Sequence, residues 1–250
     1  MNNYEKLEGM VAATFTPLDE NGDVNLSVID KYADWIASTP IKGVFVCGTT
    51  GEFSSLTIDE RKLILEKWLV SARKRFKVIA HVGSNCQRSA MELARHAAQV
   101  GADAIASIAP SFFKPGTVDE LVDFFAPICH SAAGLPFYYY NMPSITGVNL
   151  PVDKFLVEGK KKIPNLVGTK FTHNNLMEMG VCIELEQHRF EVLHGYDEIL
   201  ISGLAMGAVA GVGSTYNYIP NVYQAIFDSM KMNDLETARH NQIKSIRTVE

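Results

Sequence analysis

Short runs of apolar and β-branched residues recur along the 250-residue chain roughly every 20 to 35 positions, each followed by an amphipathic stretch. The runs cover 9–17, 43–50, 77–83, 104–110, 136–143, 166–172, 190–195 and 207–217. They are almost continuously apolar rather than alternating, the pattern of parallel strands buried on both faces. Thr57-Ile58-Asp59-Glu60 and Thr117-Val118-Asp119-Glu120 open two of the intervening stretches with the spacing of a capping box. Behind the first, Ile64, Trp68, Ala72 and Phe76 fall four apart, predicting one apolar stripe that packs on the outside of a sheet.

Eight strand–helix units in one chain of this length predict a closed α/β (β/α)₈ barrel, a TIM barrel. The open doubly wound alternative lacks a GxGxxG turn after its first strand. No Pro/Ser-rich linker divides the sequence, so residues 1–250 read as one domain. The barrel occupies 1–231, closing with a helix at about 219–231. The segment 232–250 reads as the beginning of a C-terminal helical extension, apparently incomplete.

A net charge of −5 disfavours a nucleic-acid surface. The basic runs at 72–77 and 159–164 read as solvated helix ends, where cations suit the helix dipole. No apolar run is long enough for a membrane span, and the amino terminus lacks a signal-peptide pattern, which predicts a cytosolic protein. Cys47, Cys86, Cys129 and Cys182 are widely spaced without CxxC, as reduced and mostly buried thiols are. The seven histidines form no metal-ligand pattern, and a structural metal is not expected.

Polar and glycine residues gather where the strands end, the face on which barrel enzymes place their sites. Gly48-Thr49-Thr50-Gly51-Glu52 is either a tight turn whose threonines cap or a cradle in which amides and hydroxyls hold an anion. It lacks the GKS/T ending of a phosphate loop, so a carboxylate suits it better than a triphosphate. In the fifth run Tyr138 and Tyr140 share a face, and Tyr140, beside the turn at Asn141–Pro143, could hold a hydroxyl in the barrel mouth. In the sixth run Gly168, Lys170 and Thr172 share one face while Thr169 and Phe171 suit the helix-packed side. Lys170 is then either a snorkelling outer lysine or an amine aimed into the barrel. A lysine amine of ordinary pKa, about 10.4, is unprotonated in only about one molecule in 2,500 at pH 7, so a nucleophilic lysine needs a site poor in water. Such an amine forms a Schiff base with a ketone. Asp197 and Glu198 either cap the helix they open, bind a cation or receive sugar hydroxyls. His81 and His194, at strand ends, are candidates only for supporting roles.

The motifs GTTGE (48–52), YYYNMPSITG (138–147), GTKFT (168–172), GYDE (195–198) and GSTYN (213–217), in this order, resemble the N-acetylneuraminate lyase family of class I aldolases, which are related to dihydrodipicolinate synthases. The resemblance covers essentially the whole chain. It implies a Schiff base between Lys170 and pyruvate, a proton shuttle at Tyr140 and a carboxylate seat at Thr49 and Thr50. Thr172, Gly195, Asp197, Glu198 and Ser214 would hold the hydroxylated tail of the sugar acid. It further implies reversible cleavage of N-acetylneuraminate (sialic acid) to N-acetylmannosamine and pyruvate, no cofactor, and a homotetramer. Synthases typically carry an arginine after YNxP and a relay tyrosine near the fourth strand, where this chain has Ile145 and Phe113. The alternatives are another pyruvate-dependent aldolase or a catalytically silent sugar-acid-binding relative.

Overall fold

The computed structural model describes residues 5–132 and 134–250. Eight parallel strands among them close a barrel in sequence order: β1 Gly9–Ala13, β2 Gly43–Val46, β3 Lys77–His81, β4 Ala104–Ile108, β5 Phe137–Asn141, β6 Leu166–Phe171, β7 Glu191–His194 and β8 Ala210–Gly213. Each strand lies inside the run predicted for it but is shorter, because the polar ends of the runs turn away to form the mouth. The helices are α1 Ile29–Ala37, α2 Ile58–Ala72, α3 Gln87–Val100, α4 Val118–Ser131, α5 Pro143–Thr146, α6 Val152–Lys162, α7 Leu176–Glu184, α8 Leu200–Ala205, α9 Pro220–Lys231 and α10 Leu235–Val249.

Two apolar cores follow from the strand alternation. Val11, Phe45, Ile79, Ala106, Tyr138, Tyr140 and Leu193 fill the barrel interior. Val44, Val78, Tyr139 and Phe171 face the helices; Ile64 and Trp68 of α2 share this layer, and Tyr139 packs on Phe125 and Phe155. Phe76 shares that layer although the helix stops at Ala72, since Arg73 and Lys74 take the left-handed conformation and turn the chain back. Thr57 makes a complete capping box with Glu60. Thr117 makes half of one. It accepts from the Glu120 amide, but the Glu120 carboxylate takes the Gly116 amide instead of that of Thr117.

The register of β5 against β6 decides which side chains meet at the mouth. Phe137 pairs with Leu166, Val167 is skipped, and Tyr138 pairs with Gly168. Such an irregularity inserts one extra residue on one strand. The skip sets Tyr140 opposite Lys170, with both side chains on the interior face. Past the barrel, α10 packs chiefly on α9 and touches α8. Among the described residues no helix is long and apolar enough to cross a membrane.

Candidate active site

Lys170 stands near the end of β6, 4% exposed. Its Nζ lies 4.4 Å from the ring centre of Phe45 and 4.1 Å from that of Tyr140. Among the described residues no carboxylate pairs with it. The amine points inward, one of the two placements that the alternation of β6 left open. Two aromatic faces surround a nitrogen that burial has taken out of bulk water.

Tyr140 brings its hydroxyl to the same place. It lies 3.2 Å from Thr49 Oγ1 and donates to Met142 Sδ at 3.0 Å. A phenol has one proton to give, so with that proton on the sulfur the Thr49 hydroxyl is the donor to the tyrosine oxygen. Thioether sulfur is a weak acceptor, and the tyrosine proton is easily re-aimed at a better one. Thr49 is open at the mouth and Thr50 is half-buried beside it.

The turn carrying these threonines is held in an unusual shape. Cys47 has φ +53° and Glu52 φ +56°, left-handed values uncommon for residues other than glycine. The Glu52 amide donates to the Thr49 carbonyl, the Phe53 amide to the Gly48 carbonyl, and Thr16 Oγ1 donates to the Gly51 carbonyl at 2.7 Å. The cysteines are free, Cys86 exposed and the other three buried, and burial pushes the Cys47 thiol up to about 12.

A second polar group forms where β6, β7 and β8 end. Thr172 is 3% exposed, and its Oγ1 is buried without a hydrogen-bond partner. Gly195 permits this packing, because a Cβ there would stand 1.9 Å from that oxygen. Asp197 is buried and accepts through Oδ2 from the amide (2.8 Å) and hydroxyl (2.5 Å) of Thr215, whose hydroxyl is also 2.5 Å from that of Tyr223. No side chain caps α8, so the capping alternative for the two acids is not what the structure has. Glu198 is half-buried, and its carboxyl is raised above the usual range, first by burial and then by the neighbouring charge of Asp197. Ser214 is half-buried, and its carbonyl accepts from Asn217 Nδ2.

All nine predicted residues therefore sit at the strand ends of one barrel face, in two groups. Lys170, Tyr140, Thr49 and Thr50 form the first; Thr172, Gly195, Asp197, Glu198 and Ser214 form the second. Sequence reasoning passed over Phe45, Met142 and Thr215, since apolar and singly polar strand residues carry no signal of what they touch. His194 is fully buried with its ring against Gly203 of α8, behind the strand. A cavity of about 1130 Å³ lies at the opposite end, where Leu7, Lys42, Lys77 and Asp103 precede or start the strands. None of the candidate side chains reaches it.

The profile of the dihydrodipicolinate synthetase family matches residues 6–249. The chain belongs to that family. It is 42% identical over 248 residues to N-acetylneuraminate lyase of Mus musculus, an alignment covering 98% of this chain and 78% of the mouse protein. With the Gallus gallus N-acetylneuraminate lyase identity is 44% over 245 residues, 97% of this chain and 80% of the other. The structure of Proteus mirabilis N-acetylneuraminate lyase superposes with a TM-score of 0.94 at 36% identity, covering 97% of this chain and 82% of that one. A dihydrodipicolinate synthase from Aquifex aeolicus superposes at 0.88 with 27% identity, covering 95% and 80%. Within the family, the positions that resemble neither synthase feature are both open to solvent: Ile145, in α5, is 58% exposed and Phe113, beyond β4, is 87% exposed.

Proposed function

We propose that this protein is a Schiff-base aldolase that reversibly cleaves N-acetylneuraminate to N-acetylmannosamine and pyruvate. The observation that carries the reading is the enclosure of Lys170 Nζ between Phe45 and Tyr140, without a counter-ion and beside a hydroxyl-lined turn. The lysine nitrogen adds to the keto carbon of the substrate and water leaves, giving a protonated imine. That imine is an electron sink. During imine formation the Tyr140 proton goes to the departing water. When the bond to the hydroxyl-bearing carbon breaks, its electron pair enters the imine as an enamine. The hydroxyl proton passes to the Tyr140 oxygen, which returns it to the enamine carbon. Protonation of the enamine and hydrolysis then release pyruvate and the free lysine. Thr49 and Thr50 seat the carboxylate next to the imine. Thr172, Gly195, Asp197, Glu198 and Ser214 receive the polyhydroxylated tail, and the unpartnered Thr172 hydroxyl is the strongest support for that half.

The names of the curated relatives favour sialic acid over the substrates of a synthase, as does the absence of an arginine at Ile145. On the same family resemblance we assign the protein to the cytoplasm as a homotetramer. The exposed pair Phe112 and Phe113 supports an association surface beyond β4.

Borohydride reduction in the presence of pyruvate tests the mechanism. An adduct of pyruvate mass mapping to Lys170, and absent from Lys170→Met, is the expected result. An adduct on another lysine, or none, sinks the Schiff-base reading. Pyruvate release from N-acetylneuraminate, compared with other 2-keto sugar acids, tests the substrate. A clear preference for a different acid removes the sialic-acid assignment and leaves the imine chemistry standing.

A further inference from the structure

His81 is the last residue of β3, 3% exposed, and it faces the barrel interior directly below the turn of Thr49 and Thr50. Its Nδ1 lies 2.8 Å from the Cys47 carbonyl oxygen. A carbonyl can only accept, so Nδ1 carries the proton. Nε2 is then the acceptor, and the Ile108 amide donates to it at 3.4 Å. Both ring nitrogens are used and the tautomer is fixed. Burial first, and then the positive charges of Arg61 and Lys170, hold the ring's pKa well below that of an ordinary histidine, so the imidazole stays neutral.

The ring is also wedged mechanically. Phe53 packs on it edge-on with centroids 4.5 Å apart, and Phe45 and Tyr140, the two rings that enclose Lys170, lie at 5.8 and 5.9 Å. Gly83 leaves the space that it fills, for a Cβ there would stand 2.7 Å from Nε2. From behind, the buried Arg61 donates to the carbonyls of His81 (2.8 Å) and Gly83 (2.9 Å), with its guanidinium over the Phe53 ring.

This assembly holds a residue with a strained backbone. The left-handed backbone of Cys47, φ +53°, is of the kind that persists only when the surroundings over-determine it. The one side-chain hydrogen bond to the Cys47 carbonyl among the described residues comes from His81. That carbonyl belongs to the peptide that leads into Gly48 and Thr49, whose hydroxyl lies 3.2 Å from that of Tyr140.

We infer that His81 is a positioning residue for the reaction: its neutral ring locks the Cys47–Phe53 turn in the shape that receives the substrate carboxylate. The inference rests on the Schiff-base reading for its kinetic consequence, but its structural consequence stands without it. Three substitutions separate the donor from the packing. Asparagine can place an amide N–H near the position of Nδ1, glutamine carries the same amide one methylene too far, and leucine has no donor.

The experiment measures two quantities in His81→Asn, His81→Gln and His81→Leu: the pyruvate concentration giving half-maximal borohydride trapping, and hydrogen exchange of the amides in 48–53. Losing one net hydrogen bond, about 1–1.5 kcal/mol, predicts roughly a tenfold rise in half-saturating pyruvate for the glutamine and leucine variants, with the maximal extent of trapping unchanged. Exchange in 48–53 should quicken by a similar factor while the strands keep wild-type protection. The asparagine variant should stay within about threefold of wild type on both measures. Equal effects of asparagine and glutamine would reduce His81 to packing and overturn the inference, as would wild-type exchange of the turn in the glutamine variant. If the leucine variant does not fold, the asparagine and glutamine pair decides. If wild type itself forms no adduct, the imine reading fails and the exchange measurement alone judges His81.

Discussion

In the proposed mechanism the amine of Lys170 and the hydroxyl of Tyr140 do different jobs, so their losses should be separable. Tyr140→Phe removes the oxygen next to Thr49 and Met142 but keeps the ring that covers Lys170. Pyruvate trapping should survive in this variant, while cleavage slows by about 10²–10⁴-fold, the usual contribution of general acid–base catalysis. Wild-type turnover would take the tyrosine out of the mechanism. The second group of residues has its own test at Gly195. An added Cβ 1.9 Å from Thr172 Oγ1 and 2.8 Å from its Cβ forces the threonine out of place, because the Phe171 carbonyl at 3.0 Å blocks the other side. Gly195→Ala should raise the KM for N-acetylneuraminate about tenfold, the loss of one hydrogen bond of roughly 1–1.5 kcal/mol, with pyruvate trapping unaffected. A KM equal to wild type would show that the Thr172 hydroxyl does not meet the sugar.

At the scale of elements, α10 reaches back to the site. Gln242 is buried; it donates from Nε2 to the Asp197 carbonyl at 3.0 Å and accepts at Oε1 from the Ile201 amide at 2.9 Å. One side chain thus ties the turn bearing Asp197 and Glu198 to the first turn of α8. Gln242→Leu takes one of two donors from the Asp197 carbonyl, the Leu200 amide keeping the other, and leaves the half-buried Ile201 amide without its acceptor, at about 1–3 kcal/mol, so the thermal midpoint should drop by several degrees. The KM for the sugar acid should rise at the same time, with pyruvate trapping intact; an unchanged midpoint would mean that water replaces both contacts. This tie was invisible in the sequence, where 232–250 read only as the opening of an extension. The strands were legible because burial on both faces writes continuous apolar runs. Their ends were not, because the pattern reports burial and not the hydrogen-bond ladder: the run 207–217 contains a strand of only Ala210–Gly213, preceded by Gly207 at φ +101° and followed by a 3₁₀ turn. Likewise alternation grouped Lys170 with Gly168 and Thr172, and Tyr140 with Tyr138, but left open whether the lysine faced into the barrel. The contacts of Thr49 with Tyr140, 91 positions away, and of Arg61 with His81 depend on which strands become neighbours, which no local pattern carries.

On the scale of the molecule, the barrel separates its chemistry at one end from a charged floor at the other, and the floor sets a pH dependence of stability. Glu191 opens β7 facing inward, 6% exposed, and accepts from the Leu7 amide at 2.8 Å and the Tyr138 hydroxyl at 3.1 Å through the same oxygen. Burial raises its carboxyl above the usual range, more than the two hydrogen bonds and Lys6 lower it. An acid whose folded pKa exceeds its unfolded value binds more protons in the folded state throughout the interval between the two. Stability therefore falls as pH rises through that interval, and the penalty is complete above the folded value. Below the unfolded value, about 4.3 for a glutamate, the group adds no penalty. Glu191→Gln keeps an oxygen that can accept from Leu7 and Tyr138 and removes the charge. The variant should unfold at a higher temperature than wild type at pH 8, by a few degrees, and the two midpoints should converge as pH falls toward 4. The site at the far end is untouched, so borohydride trapping at Lys170 should be the same in both proteins at every pH. A variant less stable than wild type at pH 8 would mean that the carboxylate is held ionised by its two donors, and the direction assigned to Glu191 would be wrong.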